Sequence, residues 1–176
     1  MTDPSARLVE VLARRRVSLG FATAAAMLLF ARPTWGAWRA GLVIACVGEC
    51  VRVWAAGHLE KGREVTRSGP YRFLPHPLYA GSVLIAIGVV VASRSVIVAA
   101  VASVYMVVTI GAAIRFEEAQ LRQAFGLTYD DYRASRAEPM ARRFSFSRAL
   151  RNREYRAVTG IIVGFGILAL LIRGPL

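Results

Sequence analysis

Apolar residues fall in five long stretches, at 17–31, 38–56, 78–92, 96–114 and 157–172, and charged residues concentrate between them. About 20 consecutive apolar residues carry a helix across a bilayer, so each stretch is at or near the length of a membrane helix. The first follows Arg14, Arg15 and Arg16, a basic start of the kind that opens a signal peptide. No small-residue cleavage site follows, and Arg32, Pro33 and Trp35 read as an interfacial turn, so the stretch is expected to stay as a helix. Short connections near Pro33 and Arg94 make antiparallel hairpins of stretches one and two and of three and four. The longer segments 57–77 and 115–156 then lie together on the opposite side. The expected fold is all-α, one membrane-embedded domain over 1–176 with about five transmembrane helices and loops that form a pocket.

Composition agrees with that pattern. The chain is 56% hydrophobic with a mean hydropathy of +0.46, against roughly 45–50% apolar residues in a soluble domain. The net charge of +12 would suit nucleic acid, but here basic segments alternate with apolar ones. Anionic lipid headgroups and the retention of Lys and Arg on the cytoplasmic side account for it better. Of 23 Lys and Arg residues, 18 lie in the N-terminal segment and in segments 57–77 and 115–156. Both long segments and the N-terminus are therefore expected in the cytoplasm, and the C-terminus outside. Lys61 is the only lysine, and the dominance of arginine points to a GC-rich genome and a bacterial inner membrane. The segment 142–156, with Phe144, Phe146, Leu150 and Tyr155 among arginines, reads as a basic stretch on the membrane surface.

Candidate chemistry sits in the two long segments. In the first, Gly69-Pro70 marks a turn. Pro75 and Pro77 bracket His76, which holds its backbone extended, and Pro77 suits the first turn of the next helix. Tyr79 and Gly81 follow, and Gly81 lets a ligand or another helix come close. In the second, Leu121 and Phe125 make one apolar stripe of a helix that Gly126 caps. Glu117 and Glu118 enter that helix 100° apart, so one can face a pocket while the other pairs with an arginine. Cys46 and Cys50 lie four apart on one helix face and read as small apolar residues, because a metal site would need further ligands. Glu49 and Arg52 are either an ion pair within one helix or part of a transport path.

Three motifs carry a resemblance. Gly-Pro-Tyr-Arg at 69–72, His-Pro-Leu-Tyr-Ala-Gly at 76–81 and Glu-Glu-x-x-Leu-x-x-x-Phe-Gly-x-x-Tyr-x-x-Tyr at 117–132 resemble the isoprenylcysteine carboxyl methyltransferase and phospholipid methyltransferase family. The segment from Arg52 to His58 is similar to its bacterial members, and the likeness runs from Arg52 to Pro139. It departs at Pro75, where the family has arginine, so Arg72 or Arg67 stands in as the substitute. The resemblance implies an integral-membrane transferase that uses S-adenosylmethionine. It implies that Tyr71, His76, Pro77, Tyr79, Gly81, Glu117 and Glu118 surround the cofactor, with Glu117 or Glu118 at its ribose or amino group. Arg72 and Glu118 would serve catalysis. The methyl acceptor stays open among an isoprenylcysteine carboxylate, a phospholipid amine and a small thiol. Two rival readings share features of the sequence: a sterol-reductase-like enzyme binding NADPH, which has a similar His-Pro-x-Tyr-x-Gly element, and a non-enzymatic transport or assembly component.

Overall fold

The computed structural model describes residues 20 and 29–172. Its elements there are helices and turns: α1 (Trp35–Ala56), a 3-10 helix (Gly69–Arg72), α2 (Pro77–Ser93), α3 (Val96–Phe125), α4 (Leu127–Arg133), α5 (Phe146–Arg151) and α6 (Tyr155–Leu170). The expected all-α fold is what forms among these residues. The first apolar stretch, 17–31, lies almost wholly outside them, as do Arg7, the arginines at 14–16 and Arg173.

Helices α1, α2, α3 and α6 cover stretches two to five, with ends shifted by a few residues. One difference is larger. The helix containing Glu117, Glu118, Leu121 and Phe125 is a direct continuation of the fourth apolar stretch, so α3 runs unbroken for 30 residues. No proline or glycine pair interrupts it, and Gly126, at φ +49°, ends it in a conformation that favours glycine. Among the described helices α3 alone is both long and apolar enough to cross a membrane. At 1.5 Å per residue, Val96 to Glu118 spans about 33 Å, roughly the hydrocarbon thickness of a bilayer. Val104 and Val107 on α3 are 66% and 75% exposed, an apolar flank suited to lipid. The apolar helices α2 and α6 are shorter, at 17 and 16 residues.

Small residues set the closest packing. A Cβ on Gly48 would lie 2.7 Å from the Gly81 carbonyl, and one on Gly88 would lie 2.5 Å from the Gly41 carbonyl. α1 and α2 therefore meet backbone to backbone, a close approach that small residues permit. At the far end of this pair Ala31, Ala45, Ala92, Phe165 and Leu168 form the core, with Trp38 against it. The Trp38 indole donates to the Phe165 carbonyl at 2.8 Å, tying α6 to α1. The Arg32 amide donates to the Ser93 carbonyl at 2.8 Å, so the start of α1 and the end of α2 lie together.

The two long segments meet at the opposite end. Arg148 donates to Glu60 at 2.6 Å and to the Gly57 carbonyl at 2.6 Å. Arg142 pairs with Glu64 at 2.8 Å, and Asn152 reaches the Ala56 and Leu59 carbonyls at 2.8 and 2.9 Å. Segment 142–156 is thus partly turned inward: two of its arginines grip the first loop. Phe146, Leu150 and Tyr155 remain exposed.

Candidate functional site

His76 sits at the junction of loop and helix. Its carbonyl accepts from the Tyr79 and Ala80 amides at 3.1 and 3.2 Å and so starts α2, while Pro77, buried, occupies the first helical position. The side chain is thereby fixed where the chain turns into the helix. Tyr79 stands one turn along, its ring 5.8 Å from the imidazole.

The end of α3 arrives beside it. His76 Nε2 lies 3.2 Å from Glu118 Oε1 across 42 residues of sequence, and His76 Nδ1 lies 3.9 Å from Glu117 Oε2. A carboxylate only accepts, so the Glu118 contact assigns a proton to Nε2. The two glutamates were expected to divide their work, one toward a pocket and one toward an arginine. Glu118 is the one that pairs with an arginine: Arg133 Nη2 meets the same Oε1 at 3.2 Å, while the Glu117 side chain is 43% exposed.

Arg133 reaches this position because Gly126 redirects the chain into α4. That helix is fastened on two sides. The Tyr132 hydroxyl donates to the Tyr71 carbonyl at 2.8 Å, and Arg122 on α3 holds Asp130 at 3.3 Å while its guanidinium lies 5.9 Å from the centre of the Tyr129 ring. Tyr129 is 1% exposed, and its hydroxyl oxygen is buried with no hydrogen-bond partner among the described residues. Burial pushes the Tyr129 hydroxyl up to about 12, with Glu118 adding to the rise and Arg133 and Arg122 opposing it. Burial likewise carries Tyr132 to about 12 and raises buried Tyr71, Glu117 being the next cause there. All three therefore stay protonated at neutral pH and can donate.

The other expected residues are placed differently. Arg72 is exposed at the end of the 3-10 helix, and no hydrogen bond or ion pair joins it to His76 or Glu118. Arg67 has its Nε buried without a partner among the described residues. Gly81 serves helix approach: a Cβ there would lie 2.6 Å from the Gly48 carbonyl and 2.5 Å from Arg52. The arginine that touches Glu118 is Arg133, which sequence reasoning passed over. Its one signal was a position four residues after Tyr129, on the same helical face.

A second polar group adjoins the start of α2. Arg52 donates to Glu154 at 2.6 Å, to the Leu78 carbonyl at 3.3 Å and to the Ser82 hydroxyl, with Glu49 at 3.8 Å. The expected pair within α1 is present, but the closer partner is Glu154, the residue just before α6. From Arg52 and Ser82 a cleft of about 360 Å³ runs between Ile85, Val89, Met106 and the α6 glycines Gly160 and Gly164. A Cβ on either glycine would meet nothing within 4 Å.

No curated protein and no solved structure matches the chain. The family model for phospholipid methyltransferase matches residues 21–128, more than half of the chain and a region that includes His76, Tyr79, Glu117 and Glu118. The chain therefore belongs to the phospholipid methyltransferase family, a family of methyltransferases.

Proposed function

We propose that the protein transfers a methyl group from S-adenosylmethionine to a lipid-like acceptor at the cytoplasmic face of a membrane that it crosses about five times. One observation carries this reading: His76 and Glu118, on different helices and 42 residues apart, meet at 3.2 Å inside the region that matches a methyltransferase family.

The residues suit the cofactor's chemistry. It is a zwitterion with a sulfonium, an ammonium, a carboxylate, a ribose and an adenine ring. Glu117 and Glu118 suit the cationic groups or the ribose hydroxyls, the His76 and Tyr79 rings suit the flat base, and the unpartnered Tyr129 hydroxyl is a donor without an acceptor. When bound, the cofactor supplies an activated methyl group for in-line displacement. Positioning then provides most of the rate, since a carboxylate or thiolate acceptor needs no proton removed. For an amine acceptor, Glu118 holds a proton on His76 Nε2 and leaves the Nδ1 lone pair to take the amine's proton. Tyr71 and Pro77 wall the loop side. Arg72, exposed beside them, meets the acceptor's anionic group. The cleft below Arg52 receives the acceptor's apolar chain from the bilayer, and burial there leaves the head group near the loops.

The test is a thermal shift of the detergent-solubilised protein with adenosylhomocysteine and NADPH in parallel. Adenosylhomocysteine at about 100-fold over its dissociation constant stabilises the protein by roughly 2–3 kcal/mol, and NADPH does not. His76→Ala, or Glu→Gln at 117 and 118 together, weakens adenosylhomocysteine binding by ~1–3 kcal/mol per lost polar contact. Stabilisation by NADPH instead moves the protein to the reductase reading.

A further inference from the structure

Resting on the proposed use of an adenosylmethionine cofactor, we infer that the Tyr129–Arg133 face of α4 binds the carboxylate of the cofactor's amino-acid tail. Tyr129 and Arg133 are four apart in a seven-residue helix, so both side chains leave it on one side. That side faces the end of α3, because Arg133 Nη2 meets Glu118 Oε1 at 3.2 Å. A guanidinium carries five N–H donors in a planar fork, and a single Glu118 oxygen, closest to Nη2 at 3.2 Å, cannot satisfy them all. The fork is suited to a second carboxylate. Tyr129 adds a donor of a different kind. Its side chain is almost wholly buried, yet the hydroxyl has no partner among the described residues. A buried hydroxyl left unsatisfied is unfavourable by about 1–3 kcal/mol, so such groups call for an explanation. A ligand oxygen that accepts from it is one, and the high pKa of this phenol keeps its proton in place to be donated.

The charges divide accordingly. Glu117 is the more exposed of the two glutamates, and His76 lies 3.9 Å from it. Glu118 is held between His76 and Arg133. A tail with an ammonium and a carboxylate on one carbon then meets a negative side at Glu117 and a positive side at Arg133. Geometry at α4 is stiff enough to matter, since Tyr132 anchors one side to the Tyr71 carbonyl and Asp130 anchors the other to Arg122.

Titration calorimetry with two ligands decides the matter. Adenosylhomocysteine carries the tail, and methylthioadenosine has the same adenosine and thioether without it. Arg133→Gln and Tyr129→Phe are each expected to weaken adenosylhomocysteine by roughly 10- to 100-fold and to leave methylthioadenosine within about twofold of the parent. Arg133→Lys, which keeps the charge and loses the fork, falls between. Equal weakening of both ligands means that α4 acts by shaping the site as a whole, and overturns the inference. So does unchanged adenosylhomocysteine binding in both variants. A parent protein that binds neither ligand overturns the cofactor reading itself, and this inference with it.

Discussion

His58 shows how one residue couples the loops to pH. It is 5% exposed, its Nδ1 is 3.1 Å from the Ser68 hydroxyl, and its ring lies beside Phe144 and over Gly69, where a Cβ would come within 2.5 Å. Gly69 tolerates this because it has no Cβ and because its φ of +56° favours glycine. Burial lowers the His58 pKa from its ordinary 6.5, and the neighbouring Arg148 and Arg142 lower it further. A proton on His58 would add a third positive charge beside those two guanidiniums. The unfolded chain therefore binds this proton more readily than the folded one, so stability is lost as pH falls below 6.5. Glu60 acts in a lower window. Its hydrogen bond to Arg148 holds its pKa below the ordinary 4.5, and that contribution is lost only as pH falls beneath that value. Thermal unfolding between pH 7.5 and 5 is expected to show a decline that His58→Gln removes. An unchanged decline in the variant would assign the effect to another group.

At the scale of elements, the existence of the helices was legible and their joins were not. Runs of apolar residues between arginine-rich segments mark α1, α2, α3 and α6, and Gly126 marks the end of α3. That α3 carries Glu117 and Glu118 on the same unbroken helix as its membrane stretch was hidden, because polarity changes at Arg115 while helical propensity does not. The meeting of His76 with the Glu117–Glu118 pair followed from treating stretches three and four as a hairpin. Arg133 on Glu118, Arg148 on Glu60 and Arg142 on Glu64 did not, because a chain this rich in arginine gives no sign of which guanidinium finds which carboxylate. The glycines carry a clearer message once the structure is known. Gly41 and Gly48 on α1, and Gly81 and Gly88 on α2, are seven apart in both helices and face one another, whereas Gly160 and Gly164 on α6 border open space. Gly48→Ala is accordingly expected to destabilise by ~1–3 kcal/mol through forced separation of two backbones. Gly164→Ala is expected to be neutral or to stabilise by up to ~1 kcal/mol, as helix propensity dictates. Denaturation of the two variants side by side measures the contrast, and equal losses would contradict the packing described.

For the whole molecule, sidedness joins fold to function. The hydrogen bonds and ion pairs that bind segment 57–77 to segment 115–156 place both at one end of the helices, with His76 of the first against Glu118 of the second. The turn at Arg94, with φ of +50°, lies at the other end beside Arg32. The proposed orientation rests on charge. Segment 115–156 holds ten arginines and segment 57–77 three with Lys61, while the turn near Arg94 holds that arginine alone. Moving the rich end outward would carry these charges across the bilayer, against the retention of Lys and Arg inside. The proposed inward placement would also put the site where the proposed cofactor is found. In a variant with Cys46 and Cys50 replaced by alanine, single cysteines at 94 and at 122 report this directly. Arg122 is more than half exposed, and Arg94 is exposed as well, so both positions admit a reagent. A membrane-impermeant maleimide added to intact cells is expected to label position 94 and to reach position 122 only after the membrane is opened. Labelling of both from outside would contradict the proposed topology, and labelling of 122 alone would invert it and leave the site on the wrong face for the proposed cofactor.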